Sequence, residues 1–156
     1  MHQTFNRGRK SWLSDHPHGF VAKPVKNTNG TLDLKHWTCL IPGPEKTIWE
    51  GGFYKLDMKF NDTYPSVPPI CAFTPPIFHP NVFPNGSICL STLRAGHHWK
   101  PSITIKQLLL GIQAMLNEPN NSSPANGEAQ HLYKTNKEKY DKKVREMAKK
   151  FNNCVL

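Results

Sequence analysis

The alternation of apolar and polar positions changes character once along this chain. Between residues 19 and 73 it runs at period two. GFVAKPV (19–25) reads as a short strand, and the Asn29–Gly30 pair after it is a hairpin turn signal. In LKHWTCLI, Leu34, His36, Thr38 and Leu40 fall on one face and Trp37, Cys39 and Ile41 on the other. FYKLDMKF (53–60) sets Tyr54, Leu56, Met58 and Phe60 against Phe53, Lys55, Asp57 and Lys59, the mark of a half-buried strand. ICAF (70–73) is a fourth strand, and the short connections predict an antiparallel meander. After residue 104 the period becomes helical. Ile105, Leu108, Leu109, Ile112, Met115 and Leu116 form a stripe wide enough to cover a sheet face, and Thr104 with Gln107 forms a capping box. Further helices are predicted over 125–134 and about 136–151, the last with Tyr140, Val144, Met147, Ala148 and Phe151 on one face. Residues 2–14 predict a basic amphipathic helix with Phe5, Trp12 and Leu13 on its apolar side and Arg7, Arg9 and Lys10 exposed.

The two regimes meet in PPIFHPNVFPNG (75–86), where five of twelve residues are proline or glycine. Long irregular segments inside compact domains are commonly functional. Cys89 follows directly, at the start of a short apolar run. The chain of 156 residues suits a single domain, 1–156, of the α+β class. No apolar run approaches the roughly 18 residues of a membrane span, and the basic N-terminus lacks the apolar core of a signal peptide. The four cysteines lie far apart with no CxxC pair, so they read as reduced thiols, with Cys39 and Cys71 as small core residues. The net charge of +9 fits solvated lysine-rich faces or docking to acidic protein surfaces. The basic residues are not interleaved with aromatics, so nucleic acid is not a required partner.

Cys89 admits several chemistries. It can be a buried core thiol. As a hydrolytic nucleophile it would need His79 or His97 as base and an orienting acid, yet no acidic residue occurs between Asp62 and Glu118. The spacing of His97, His98 and Cys89 matches no metal geometry. As an acyl carrier, Cys89 needs no base: it accepts an acyl group by thiol exchange and passes it to an amine. That transfer requires a donor to the developing oxyanion and a desolvating wall that favours the neutral amine. The Asn81 amide and the Phe83 ring are suitable parts.

The motif His79-Pro80-Asn81, with Cys89 eight residues on, then Trp99 and Pro101, resembles the signature of ubiquitin-family conjugating enzymes, as does Tyr64-Pro65-Ser66-Val67-Pro68-Pro69. The resemblance runs from about Trp12 to Phe151. Within the family the chain is similar to the SUMO-conjugating type, through DHPHGFVAKPVKNTNGTLDL, IWEGGFYKL, TIKQLLLGIQAMLNEPN and the Cys89–Trp99 spacing. This implies an N-terminal helix, a four-stranded meander, an active-site segment and C-terminal helices. It implies a transferase that takes the modifier's C-terminal glycine as a thioester on Cys89 and passes it to a substrate lysine as an isopeptide. No cofactor or metal is implied, because ATP is used by the upstream activating enzyme. The partners implied are SUMO or a related modifier, the activating enzyme, ligases and substrate proteins, for a monomer of the nucleus and cytoplasm without a membrane attachment. Alternatives are another ubiquitin-like conjugating enzyme, or a non-catalytic module that keeps the fold.

Among site residues, the resemblance implies that Asn81 stabilises the oxyanion or the loop that forms the site. Phe83 keeps the ring of the family's usual tyrosine but not its hydroxyl. His79, Pro80 and Trp99 are implied to be structural. Arg9 and His16 match basic positions that contact the modifier and the activating enzyme, whereas Leu13 replaces a third such position. Asn85, Ser87, Arg94 and His97 are expected along the substrate groove. Ser123 stands where SUMO-type enzymes carry an aspartate that orients and deprotonates the lysine, so slower transfer is expected. Ile70 and Ala72 stand where those enzymes read an acidic residue near the lysine with basic side chains. Arg94-Ala95-Gly96-His97-His98 replaces a usually acidic loop, so a changed target pattern is expected.

Overall fold

A computed structural model describes residues 2–88, 99–122 and 124–156. It begins with α1 (His2–Ser14), followed by strands β1 (Val21–Lys26), β2 (Leu32–Pro42), β3 (Phe53–Lys59), β4 (Ile70–Phe73) and β5 (Ser87–Ile88). Helices α2 (Ile105–Asn117), α3 (Gly127–Thr135) and α4 (Lys137–Lys150) complete it. The strands form one antiparallel sheet in chain order. This is the α+β meander expected, extended by β5. Two residues inside a turn-rich segment are too few to show a period, so β5 left no mark in the hydropathy pattern.

Register explains which residues reach the core. Pro24, Trp37, Met58, Cys71 and Ile88 stand opposite one another across all five strands. All five are buried. The row Lys23, Thr38, Asp57, Ala72 and Ser87 lies on the other, outward face, because successive side chains of a strand alternate between faces. Between Pro24 and Val25 the β1–β2 register shifts. There Trp37 donates its indole N–H to the Leu34 carbonyl at 2.9 Å.

α2 closes the inner face. All six residues of its predicted stripe are buried. Its capping box is complete: Thr104 Oγ1 accepts from Gln107 N at 3.1 Å, and Gln107 Oε1 accepts from Thr104 N at 2.9 Å. Asn136 ends α3 and caps α4, accepting from Lys139 N at 3.2 Å. Tyr140, Val144 and Ala148 are buried as expected, with Met147 and Phe151 packed at the core's margin.

One expectation fails in α1. Phe5 and Trp12 are buried, but Leu13 is 60% exposed. At about 100° per residue, position 13 lies roughly 80° from position 5 and about 100° from position 12. The buried stripe of α1 is too narrow to include it. No described helix is long and apolar enough to cross a membrane.

Candidate active site

The segment before residue 89 is built as two consecutive turns. In the first, the Val82 amide donates to the His79 carbonyl at 3.1 Å. The His79 ring is fully buried and fixed from both sides: its Nε2 lies 2.7 Å from the Met115 carbonyl, and its Nδ1 accepts from the Asn81 amide at 3.0 Å. An Nδ1 that accepts places the single ring proton on Nε2, so the imidazole is neutral. Burial disfavours the cation and pushes the pKa down to about 4, although the bond to Met115 pulls the other way. With both nitrogens committed, His79 is a brace, not a base. Trp49 backs the ring at 5.6 Å.

This brace aims Asn81. Its side chain is 1% exposed and pairs reciprocally with one backbone position: Nδ2 donates to the Asn120 carbonyl at 2.7 Å, and Oδ1 accepts from the Asn120 amide at 2.8 Å. The Pro80 carbonyl accepts from Ala125 N at 2.7 Å and Asn126 N at 3.1 Å. Four hydrogen bonds therefore fasten the strand-side turn to the loop between α2 and α3. The Asn81 side chain is thus engaged on both its polar atoms by the Asn120 backbone. Ser123 belongs to that loop's sequence but lies outside the described residues.

The second turn returns the chain into β5. Phe83 N donates to the Ser87 carbonyl at 3.0 Å, and Gly86 N to the Phe83 carbonyl at 2.8 Å. Gly86 has φ +93°, and its carbonyl accepts from Phe73 N at 2.8 Å. A Cβ at this position would lie 2.1 Å from the Phe73 carbonyl oxygen, so β4 admits only glycine there. Asn85 Oδ1 accepts from both Ser87 N (3.0 Å) and Ser87 Oγ (2.8 Å), which stiffens the turn. Phe83 is 44% exposed beside it. Ile88 then ends the inner row of the sheet.

His79, Pro80, Asn81, Phe83, Asn85 and Ser87 are thus brought together. Cys89, Arg94 and His97 lie outside the described residues. Trp99 is tied to the segment around cis-Pro65 through its indole N–H, 2.8 Å from the Pro65 carbonyl. Tyr64 joins its ring to those of Phe60 and Phe5 at 4.5 and 5.6 Å. Arg9 and His16 belong to the α1 region: His16 is exposed, stacked on Trp12 at 5.2 Å, with its Nδ1 2.8 Å from the Trp12 carbonyl. Ile70 is 66% exposed, and it faces outward beside Lys59.

Sequence reasoning did not find Asn120, Met115 or Trp49. The first two act through their backbone, which leaves no trace in residue type, and the third contacts His79 across a long stretch of chain. The remaining thiols are separated by environment. Cys39 and Cys71 are buried, and burial raises the first to about 12 and the second well above its ordinary value, so neither is a nucleophile at neutral pH. Cys154 is half-buried near the C-terminus.

The sequence model of the ubiquitin-conjugating enzyme family matches residues 4–148. The chain belongs to the ubiquitin-conjugating enzyme family. It is 56% identical over 143 residues to the SUMO-conjugating enzyme UBC9 of Caenorhabditis elegans, spanning 92% of this chain and 86% of that one. It is 55% identical to the Sumo-conjugating enzyme ubc9 of Dictyostelium discoideum, over 90% of this chain and 89% of that one. The SUMO-conjugating enzyme SCE1 of Arabidopsis thaliana is 48% identical, over 94% and 92%.

Proposed function

We propose that this chain is a SUMO-conjugating transferase whose acceptor thiol is Cys89, with residues 1–156 acting as one catalytic domain. The modifier arrives as a thioester on the activating enzyme. The Cys89 thiolate attacks that carbonyl, the activating enzyme's thiolate leaves, and the thioester energy is kept. A neutral substrate lysine then attacks the new thioester, the isopeptide bond forms, and the Cys89 thiolate is released after the amine loses its proton. ATP is spent upstream, and the family needs no cofactor of its own. SUMO, its activating enzyme and substrate proteins are the partners, ligases assist, the chain acts as a monomer, and its working place is the nucleus and cytoplasm.

The observation that carries this reading is the brace around Asn81. Four hydrogen bonds join the His79–Asn81 turn to the 120–126 loop. This arrangement is suited to holding both sides of a site at the exit of β5. Rigid placement of this kind lowers the barrier to attack by limiting the geometries the reactants explore. Phe83 supplies an exposed ring for the lysine stem, and Ser123 supplies a neutral hydrogen-bonding group where a carboxylate would draw off a proton. Arg9 and His16 serve docking. Asn85, Ser87, Arg94 and His97 border the substrate, together with an outward sheet face on which Ile70 and Ala72 offer no cation to an acidic target residue.

The test is to incubate the chain with ATP and, in parallel, the SUMO and the ubiquitin activating enzyme–modifier pairs, then run non-reducing gels. A reductant-sensitive adduct with SUMO is expected. An adduct with ubiquitin alone, or with neither modifier, refutes the proposal.

A further inference from the structure

We propose that the outward face of β4 selects the substrate. Ile70 and Ala72, with Asp57 beside them, accept a large apolar residue two positions after the target lysine and reject an acidic one there. The inference rests on the conjugating reaction proposed above and names the class of sequence on which it acts.

Register gives the placement. β4 and β5 run antiparallel, with Ala72 opposite Ser87 and Cys71 opposite Ile88. Ile70 therefore stands at the end of β4 that borders Ile88, and Cys89 follows Ile88 directly in sequence. A cross-strand pair separates Cα atoms by about 5 Å and one peptide step adds about 3.8 Å, so Ile70 lies within roughly 9 Å of Ile88. An extended segment spans about 7 Å from one residue to the second after it and turns both side chains to the same side. A substrate that offers its lysine to Cys89 thus carries its second following residue within reach of β4. Because β4 is flanked by β3 and β5, it has no free edge for a further strand. Selection falls to the side chains of its outward face.

The chemistry of that face follows from the same alternation. Cys71 and Phe73 point into the core, and Ile70 and Ala72 point away from it. Ile70 is 66% exposed, a large aliphatic surface that a leucine or phenylalanine of the substrate would shield from water. Ala72 is half-buried, and its methyl group leaves its partner on β3, Asp57, uncovered. The Asp57 side chain is 31% exposed. It has the His36 ring nitrogen at 3.5 Å and pairs with no lysine or arginine among the described residues. An acid laid over Ala72 meets this carboxylate across one strand spacing, and like charges so placed are unfavourable. Lys59 stands opposite Ile70, but it is exposed, and an exposed ion pair contributes little. The two residues that face the substrate thus favour an apolar group and disfavour an acid.

The probes are single-lysine peptides, identical except for leucine, alanine or glutamate two positions after the lysine. The full chain is charged with SUMO by the activating enzyme and ATP, recharging is stopped with a chelator, and transfer from the thioester to each peptide is timed in a single turnover. The second-order rate constant is expected to be about fivefold higher for the leucine peptide than for the alanine peptide, and about threefold lower for the glutamate peptide. Ile70→Ser should bring the leucine-to-alanine ratio to about one, and Asp57→Asn should raise the glutamate-to-alanine ratio about threefold. Ratios taken within one variant cancel any general change in transfer rate. Equal rates for the leucine and alanine peptides, a preference for glutamate in the unsubstituted chain, or ratios that the two substitutions leave unchanged would overturn the inference. A thioester that forms but transfers without these preferences overturns the inference alone. Failure to form the thioester overturns the proposed function, and the inference with it.

Discussion

His79→Gln isolates the brace on which the candidate site depends. In the unfolded chain His79 titrates near 6.5; in the fold, burial brings it to about 4. Below pH 6.5 the unfolded state takes up a proton that the native state refuses, so this residue lowers stability as pH falls. The effect is absent above about pH 7 and levels off below pH 4. At about 1.36 kcal/mol per pH unit, the full interval from 6.5 to about 4 corresponds to about 3 kcal/mol, of which roughly 2 kcal/mol develops between pH 7 and pH 5. Glutamine is neutral throughout and can donate and accept in the same pocket. Urea unfolding, followed by tryptophan fluorescence from pH 4.5 to 7.5, measures both proteins. The variant is expected to be the less stable at pH 7.5, because the fit is poorer. The wild type should then lose about 2 kcal/mol more than the variant on going to pH 5. The other seven histidines are common to both and cancel in the difference. Parallel curves would refute the neutral, buried state assigned to His79.

Three further substitutions probe the site. Asn81→Ala removes the two bonds to the Asn120 backbone; it should cost about 2 kcal/mol in thermal or urea unfolding and slow lysine discharge of the loaded thioester at least tenfold, with loading less affected. Ser123→Asp should accelerate that discharge severalfold at neutral pH, measured by single-turnover chase with free lysine, because a carboxylate can orient and deprotonate the amine. On a peptide array the wild type should show no preference for glutamate two residues after the lysine, and Ile70→Lys with Ala72→Lys should create one.

The legible parts of this fold are those in which residue type and spacing act over a few positions. The α2 stripe and its Thr104–Gln107 capping box are short-range, and so is the alternation in β3 that buries Tyr54, Leu56 and Met58. The sheet's last strand was not legible, because Ser87–Ile88 is held by pairing with β4 and by the Gly86–Phe73 bond, not by any period of its own. Leu13 was misplaced because a narrow helical stripe needs only two anchors. At the site, His79 and Asn81 stood out as a motif, yet their partners did not. Met115 and Asn120 contribute backbone atoms from 36 and 39 residues away, which no local pattern encodes.

In the proposed reaction Cys89 carries the modifier and the other thiols do not. Intact mass and peptide mapping of the loaded species, for Cys89→Ser and for a variant with serine at 39, 71 and 154, test it most directly. One modifier per chain is expected, joined through Cys89 by a bond that reductant cleaves. Full loading of the triple variant is expected as well, and at most a reductant-resistant ester in Cys89→Ser. A reductant-sensitive adduct that survives in Cys89→Ser, or maps to another cysteine, would contradict it.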